Sequence, residues 1–149
     1  MSSGVFSGLS IGVGETQLSI ENDAYSSKLA ELQAEIFTGD FTDSQRKTLT
    51  SLANTVTFHL TEMDYSGTKR DLEGNPVPNG RGGTFDHIHE MKDSYKALTK
   101  IKRSLEGSLN NPNLGVHEKG LMTRSLKEAN EHIQRIDELF EPYGGIEKW

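Results

Sequence analysis

Met122–Phe140, MTRSLKEANEHIQRIDELF, is the stretch on which the fold turns. Met122, Leu126, Ala129, Ile133, Ile136 and Phe140 recur at spacings of three and four, so one face is apolar while Lys, Glu, Asn and Gln occupy the rest. That is the period of a helix packed on one side. Pro142 and the Gly144-Gly145 pair end it. Upstream, Asn110–Gly115 (NNPNLG) makes a short turn, and before it Ile88, Met91, Tyr95, Leu98, Leu105 and Leu109 keep the same period if Lys102 lies along the seam by its aliphatic stem. Two such helices joined by a short turn are expected to fold back as an antiparallel hairpin.

Further upstream the signals are shorter. Thr42 followed by Gln45 has the form of a capping box, and Leu49, Leu52, Val56, Leu60 and Met63 then mark a helix to about Met63 with His59 beside its apolar face. Tyr25, Leu29, Leu32 and Ile36 mark another, ended by Gly39. Residues 1–20 alternate Gly and Ser with single apolar residues and read as a flexible segment. Asp64 to Gly83 reads as one long Gly/Pro-rich loop, of the kind that is functional or disordered in compact domains. The expected fold is therefore mainly α, a small helical bundle with a C-terminal helix hairpin. Its expected organisation is a flexible segment over 1–20, a helical region or carrier linker over 21–73, and a functional helical domain over 74–149.

Composition narrows the function classes. The chain has 149 residues, 33% of them hydrophobic, and a mean hydropathy of −0.60, values that suit one domain with a modest core. No apolar run approaches a membrane span, and the opening MSSGVFSGLS has no basic n-region, so a soluble chain without a signal peptide is expected. With no cysteine, disulfides and thiolate metal sites are excluded. The net charge of −6 argues against nucleic acid at first sight, but all of it lies in residues 1–79. Residues 81–127 carry nine basic side chains against five acidic. A solvated helix face and a phosphate-binding stripe both fit that excess.

At the start of this basic window stands Gly83–Met91, GTFDHIHEM, preceded by GNPVPNGRG. His87 and His89 with Asp86 and Glu90 are the residue types that proton transfer or metal binding requires. On helical geometry Asp86, His89, Glu90 and Asp93 share one side, whereas His87 falls beside Met91 at the rim of the core, where an imidazole is partly desolvated yet reachable. Acidic residues in a first helical turn also complement the helix dipole without any catalytic role. Asp86, His89 and Glu90 could share an ion, although they do not form a His-Glu-x-x-His pattern. His59, His117 and His132 stand apart and are expected only to pack or face solvent.

From about Gly74 to Ile146 the sequence resembles the polymorphic toxin type 28 domain, a helical C-terminal toxin module of bacterial competition systems. The resemblance rests on GNPVPNGRGGTFDHIHEMKDS, the long helix after it, the connector LNNPNLG and the final helix ending in LFEPYGG. It implies a ribonuclease carried at the end of a larger secreted or contact-delivered protein, acting in the target-cell cytoplasm and neutralised at home by a cognate immunity protein. By the family's motif Asp86, His87 and Glu90 carry over as catalytic positions, with His89 as the weaker candidate. Gly115-Val116 departs from the capping pair such modules often have before the last helix, which should cost cap stability rather than activity.

The expected reaction is cleavage of RNA without cofactor or metal: His87 as base or acid, Asp86 orienting it, Glu90 as the partner, and Arg81, Lys92, Lys96 and Lys100 on the substrate phosphates. Two alternatives stay open on the residues alone. One is a metal-dependent nuclease held by Asp86, His89 and Glu90. The other is a non-enzymatic helical adaptor or immunity-type module whose acidic N-terminal half binds a basic partner.

Overall fold

The computed structural model describes residues 16–149, with side chains from residue 27 onward. The expected flexible segment and Tyr25 of the first apolar face therefore lie largely outside the described residues. Five helices are present: α1 (Thr16–Thr38), α2 (Asp43–His59), α3 (Glu62–Leu72), α4 (His87–Leu109) and α5 (Val116–Phe140). Two short 3-10 turns, Glu141–Tyr143 and Ile146–Lys148, follow. The protein is mainly α. Among the described residues the only β feature is an isolated bridge between Pro78 and Thr84, and no helix is long and apolar enough to cross a membrane. Contacts divide the chain into two units, one ending at Glu35 and the other spanning Ile36–Trp149.

In the second unit α4 is the central element, packed against α5, α2 and α3. Met91, Leu98 and Leu105 of α4 meet a core that includes Met122, Ala129, Ile136 and Phe140 of α5 and Leu49 and Leu52 of α2, all buried. Each of these Leu, Ile, Met and Phe side chains contributes about 1.5–3 kcal/mol by leaving water. The α4 seam runs through Ile101, buried, rather than through Lys102, which is only half-buried. Ile88, Tyr95 and Leu109, expected in that seam, are half-buried as well. Ser94 and Ser125 take buried places in the two helices, so small residues fill where the helices come close.

The expected Thr42–Gln45 capping box is formed: Gln45 N–H donates to Thr42 Oγ1 at 3.1 Å and Thr42 N–H to Gln45 Oε1 at 2.9 Å. The helix it opens ends sooner than expected. It breaks at Leu60, and a second capping box starts α3, with Asp64 N–H donating to Thr61 Oγ1 at 3.3 Å and Thr61 N–H to Asp64 Oδ2 at 2.9 Å. Half of the expected loop over 64–83 is thus helix. Met63, expected on an apolar face, is 82% exposed because the break turns it outward. Gly115 caps α5 without a side-chain bond. Glu118 folds its carboxylate back over Gly115, and the N–H of Asp40, donating to it at 2.9 Å, together with its own N–H holds its carboxyl below the usual range.

Candidate active site

The loop that separates α3 from α4, residues 73–86, is pinned by its own hydrogen bonds. Phe85 N–H donates to Val77 O at 3.0 Å and Asn79 N–H to Gly83 O at 3.1 Å, while Asn79 Oδ1 accepts from Arg81 N–H and Gly83 N–H at 2.8 and 3.3 Å. Gly80 and Gly82 take φ of 78° and 86°, which only glycine adopts without strain. This miniature hairpin brings the chain back so that α4 begins beside α3.

Asp86 is the N-cap of α4, and its Oδ1 accepts His89 N–H at 3.1 Å. His87 follows as the first helical residue. Its N–H is one of the donors a helix start cannot satisfy internally, and Asp71 near the end of α3 accepts it through Oδ2 at 2.8 Å. Thr68 Oγ1 reaches His87 O at 3.4 Å. The His87 backbone is therefore tethered to α3 through its N–H, while the Thr68 hydroxyl, which donates to Asp64 O at 2.7 Å, only lies against its carbonyl.

The imidazole lies on the same helix. His87 Nδ1 stands 3.7 Å from Asp71 Oδ1, with side-chain exposures of only 15% and 7%. Both of these atoms are buried without a hydrogen bond. Two orphaned polar atoms, a donor or acceptor and a carboxylate oxygen, face each other slightly beyond bonding distance. Catalytic pairs often stand this far apart without substrate and tighten when it binds. Since Nδ1 is buried, the exposure the ring retains belongs to its other atoms. Phe85, 49% exposed, sets its ring 5.6 Å from that of His87 at 47°.

The carboxylate against the His87 ring is thus Asp71, not Asp86, whose near oxygen is committed to the helix start. Glu90 is exposed one turn along α4. His89 is exposed and pairs along its own helix with Asp93, Nε2 to Oδ2 at 3.4 Å. Among the described residues no three imidazole or carboxylate groups converge to hold an ion, so Asp86, His89 and Glu90 do not form a ligand set. Arg81 stands exposed at the tip of the loop. Lys92, Lys96 and Lys100 line, with Tyr95 and Ile146, an open groove along α4. At about 100° per residue Lys96 is on the side of α4 opposite His87. Two further cations, Lys69 and Arg70, sit in the last turn of α3 directly before Asp71.

Sequence reading placed Asp71 in a loop and so missed it. The signal that could have found it is Thr61-Glu62-Met63-Asp64, a capping pattern that extends a helix through Leu72 and puts Asp71 on its last turn.

A second polar cluster holds α3 to α5. Tyr65 OH lies 2.7 Å from His132 Nδ1 with the two rings stacked, Arg135 sits 3.7 Å over the Tyr65 ring, and its guanidinium donates to both oxygens of Glu62 at 2.9 and 2.7 Å. Burial pushes the Tyr65 phenol up to about 12. Burial, and then the charge of Arg135, pushes the His132 imidazole below its ordinary value. His132, expected to be a packing residue, packs here by way of a hydrogen bond.

A family model described as bacterial toxin 28 matches residues 40–142, more than half of the chain. The match begins well ahead of Gly74 and takes in α2 and α3, so it contains Asp71 as well as His87. The chain is also similar to the tRNA nuclease CdiA of Escherichia coli O6:K15:H31 (strain 536 / UPEC), 28% identical over 100 residues. That alignment covers 67% of this chain and 3% of the relative, so the chain spans a small part of a far longer protein. A helical domain that carries the motif Gly-Gly-Thr-Phe-Asp-His-Ile-His-Glu on the start of its central helix, under a family match of this extent, belongs to the bacterial toxin 28 family.

Proposed function

We propose that this domain is a ribonuclease toxin that cleaves RNA, with tRNA as the substrate class, by metal-independent acid–base catalysis centred on His87. The observation that carries the reading is His87 Nδ1 facing the buried Asp71 carboxylate at 3.7 Å, both atoms without another partner. An imidazole held at one nitrogen by a carboxylate presents the other nitrogen in a defined direction, and the carboxylate stabilises the ring when it takes up a proton. Family membership and the tRNA nuclease activity of the CdiA relative support RNA as substrate.

The reaction needs only groups on RNA and on this chain. A base removes the proton of a 2′-hydroxyl, the freed oxygen attacks the adjacent phosphorus, and a 2′,3′-cyclic phosphate forms. The bond to the 5′-oxygen breaks, and an acid protonates that oxygen as it leaves. His87 takes one of these two roles and Glu90, exposed one turn on, the other. Asp71 takes the orienting role expected of Asp86, while Asp86 and His89 build the helix start that presents His87. The exposed Phe85 ring offers a platform for a base flanking the cleaved bond. Lys69 and Arg70 directly precede Asp71, and Arg81 stands in the loop that leads to His87. Lys92, Lys96 and Lys100, on the other side of α4, are assigned to flanking phosphates.

Two further parts of the proposal follow from the family. The domain is delivered into a target cell on a larger effector and acts in its cytoplasm, and a cognate immunity protein blocks it in the producer. An acidic surface meeting Arg81, Lys92, Lys96 and Lys100 would give that inhibitor a fast, salt-sensitive association. The test is inducible expression with total RNA examined on a gel, and cleavage of tRNA by purified protein with and without a chelator. Wild type should fragment RNA in both, and His87→Ala should not while keeping its helical content. Undiminished cleavage by folded His87→Ala removes the imidazole from the mechanism. Loss of cleavage in chelator replaces the metal-independent route with an ion-dependent one.

A further inference from the structure

The described part of the chain has three glycines inside helices: Gly67 in α3, Gly107 in α4 and Gly120 in α5. Glycine is the poorest helix former short of proline, so each weakens its helix relative to alanine. At Gly107 and Gly120 an added β-carbon would meet nothing within 4 Å. Gly67 differs. There a β-carbon would fall 2.5 Å from His87 Nε2 and 2.6 Å from both Cδ2 and Cε1. The imidazole lays its face, at the Nε2 end, over the bare backbone of α3.

The ring has little room to yield. Its backbone N–H is held by Asp71 at 2.8 Å and its carbonyl faces Thr68 Oγ1 at 3.4 Å, so His87 as a whole cannot back away from α3. Rotation about the side-chain bonds is the remaining escape, and it carries Nδ1 away from Asp71 Oδ1. Helix α3 thus meets His87 at three places, Gly67, Thr68 and Asp71, which lie within one helical turn.

We infer that Gly67 is a positioning residue for the reaction: the absence of its β-carbon sets the depth of the His87 imidazole against α3 and hence its alignment with Asp71. The inference rests on the reading of His87 as a proton-transfer group. It adds a residue that touches neither substrate nor proton and acts only through the ring. Misplacement of a reacting group by about 1 Å costs on the order of 100-fold in rate.

The experiment compares Gly67→Ala with Gly107→Ala, an unobstructed helical control, and with His87→Ala, each in the full chain. Cleavage of a tRNA substrate is followed as kcat and KM, and melting temperature is recorded for each. Gly67→Ala should lower kcat by about 100-fold and leave KM within about 2-fold, whereas Gly107→Ala should leave both unchanged. A kcat within about 3-fold of wild type for folded Gly67→Ala overturns the inference, provided His87→Ala is inactive. If His87→Ala itself cleaves normally, the reading beneath the inference has failed instead. The double variant Gly67→Ala/His87→Ala removes any dependence on how well the single variant folds. With the ring gone the methyl has space, so the alanine at 67 should raise or leave unchanged the melting temperature of His87→Ala. A lowered melting temperature in that background means that the obstruction is not the His87 ring, and the inference falls.

Discussion

Helix α3 makes two polar contacts that differ in how completely they are satisfied. Toward α5, Tyr65 bonds His132, and Arg135 both stacks on Tyr65 and forks onto Glu62, so each of these polar groups has a partner. Toward α4, Asp71 satisfies a backbone donor with one oxygen but leaves the other facing His87 Nδ1 across 3.7 Å, both atoms buried and unbonded. A closed network of the first kind rigidifies a fold. The second leaves interaction unused, at a cost in stability, beside the ring we propose as the proton-transfer group. One helix therefore serves as strut at its first turn and, in the mechanism we propose, as part of the active site at its last.

The variants that test this contrast should separate stability from cleavage. Asp71→Asn should have the largest effect after His87→Ala. The amide still accepts His87 N–H but presents no charge to the ring, so cleavage should fall within the range of about 10–1,000-fold with little change in melting. If melting falls and cleavage holds, Asp71 is only a cap, and the two ends of α3 are alike. Charge reversal of Lys92, Lys96 and Lys100 together should come next, raising KM and flattening its salt dependence while kcat is retained. An unchanged KM would make that stripe a solvated face.

Tyr65→Phe should do the reverse of Asp71→Asn. It leaves the His132 nitrogen without a partner in a half-buried site and should cost about 1–3 kcal/mol of stability, read from urea midpoints, with kcat intact. A loss of kcat there would join strut and active site into one unit. The same contact makes a smaller pH effect. Because burial holds His132 below its ordinary value, its neutral form is favoured by folding. The stability this supplies is fully present above the unfolded imidazole value of about 6.5 and is lost as pH falls through the lower folded value. Urea midpoints measured between about pH 7 and 5 should therefore drop, and the drop should shrink in His132→Gln. His89→Ala should have the smallest effect, since His89 is exposed and pairs only with Asp93 on its own helix.

What could be read along the chain was what repeats locally. The apolar period of α5, the Thr42–Gln45 capping box and the start of α4 beside Asp86 all depend on residues within a few positions of one another, and each is present. Errors arose where two local patterns compete or where a contact is remote. Lys102 and Ile101 are adjacent, and which of them enters the seam depends on the neighbouring helices rather than on spacing. Met63 continued the apolar period of α2, but the Thr61 capping box ended that helix first.

By sequence alone the protein is a helical chain with a His/Asp/Glu motif at the start of its longest amphipathic pattern, because hydrophobic period and capping chemistry act over one or two turns. The tertiary structure decided which carboxylate serves the imidazole. Asp86 is adjacent in the chain, yet a residue at the N-cap points its oxygen at the N–H three positions on and cannot also serve the ring. Asp71 is sixteen residues away, and it reaches His87 only because the pinned loop folds α4 back along α3 and Gly67 leaves the ring room to lie there. Gly67 and Asp71 share a helical period on α3, but no local rule links either of them to His87, which meets them only on a packed surface.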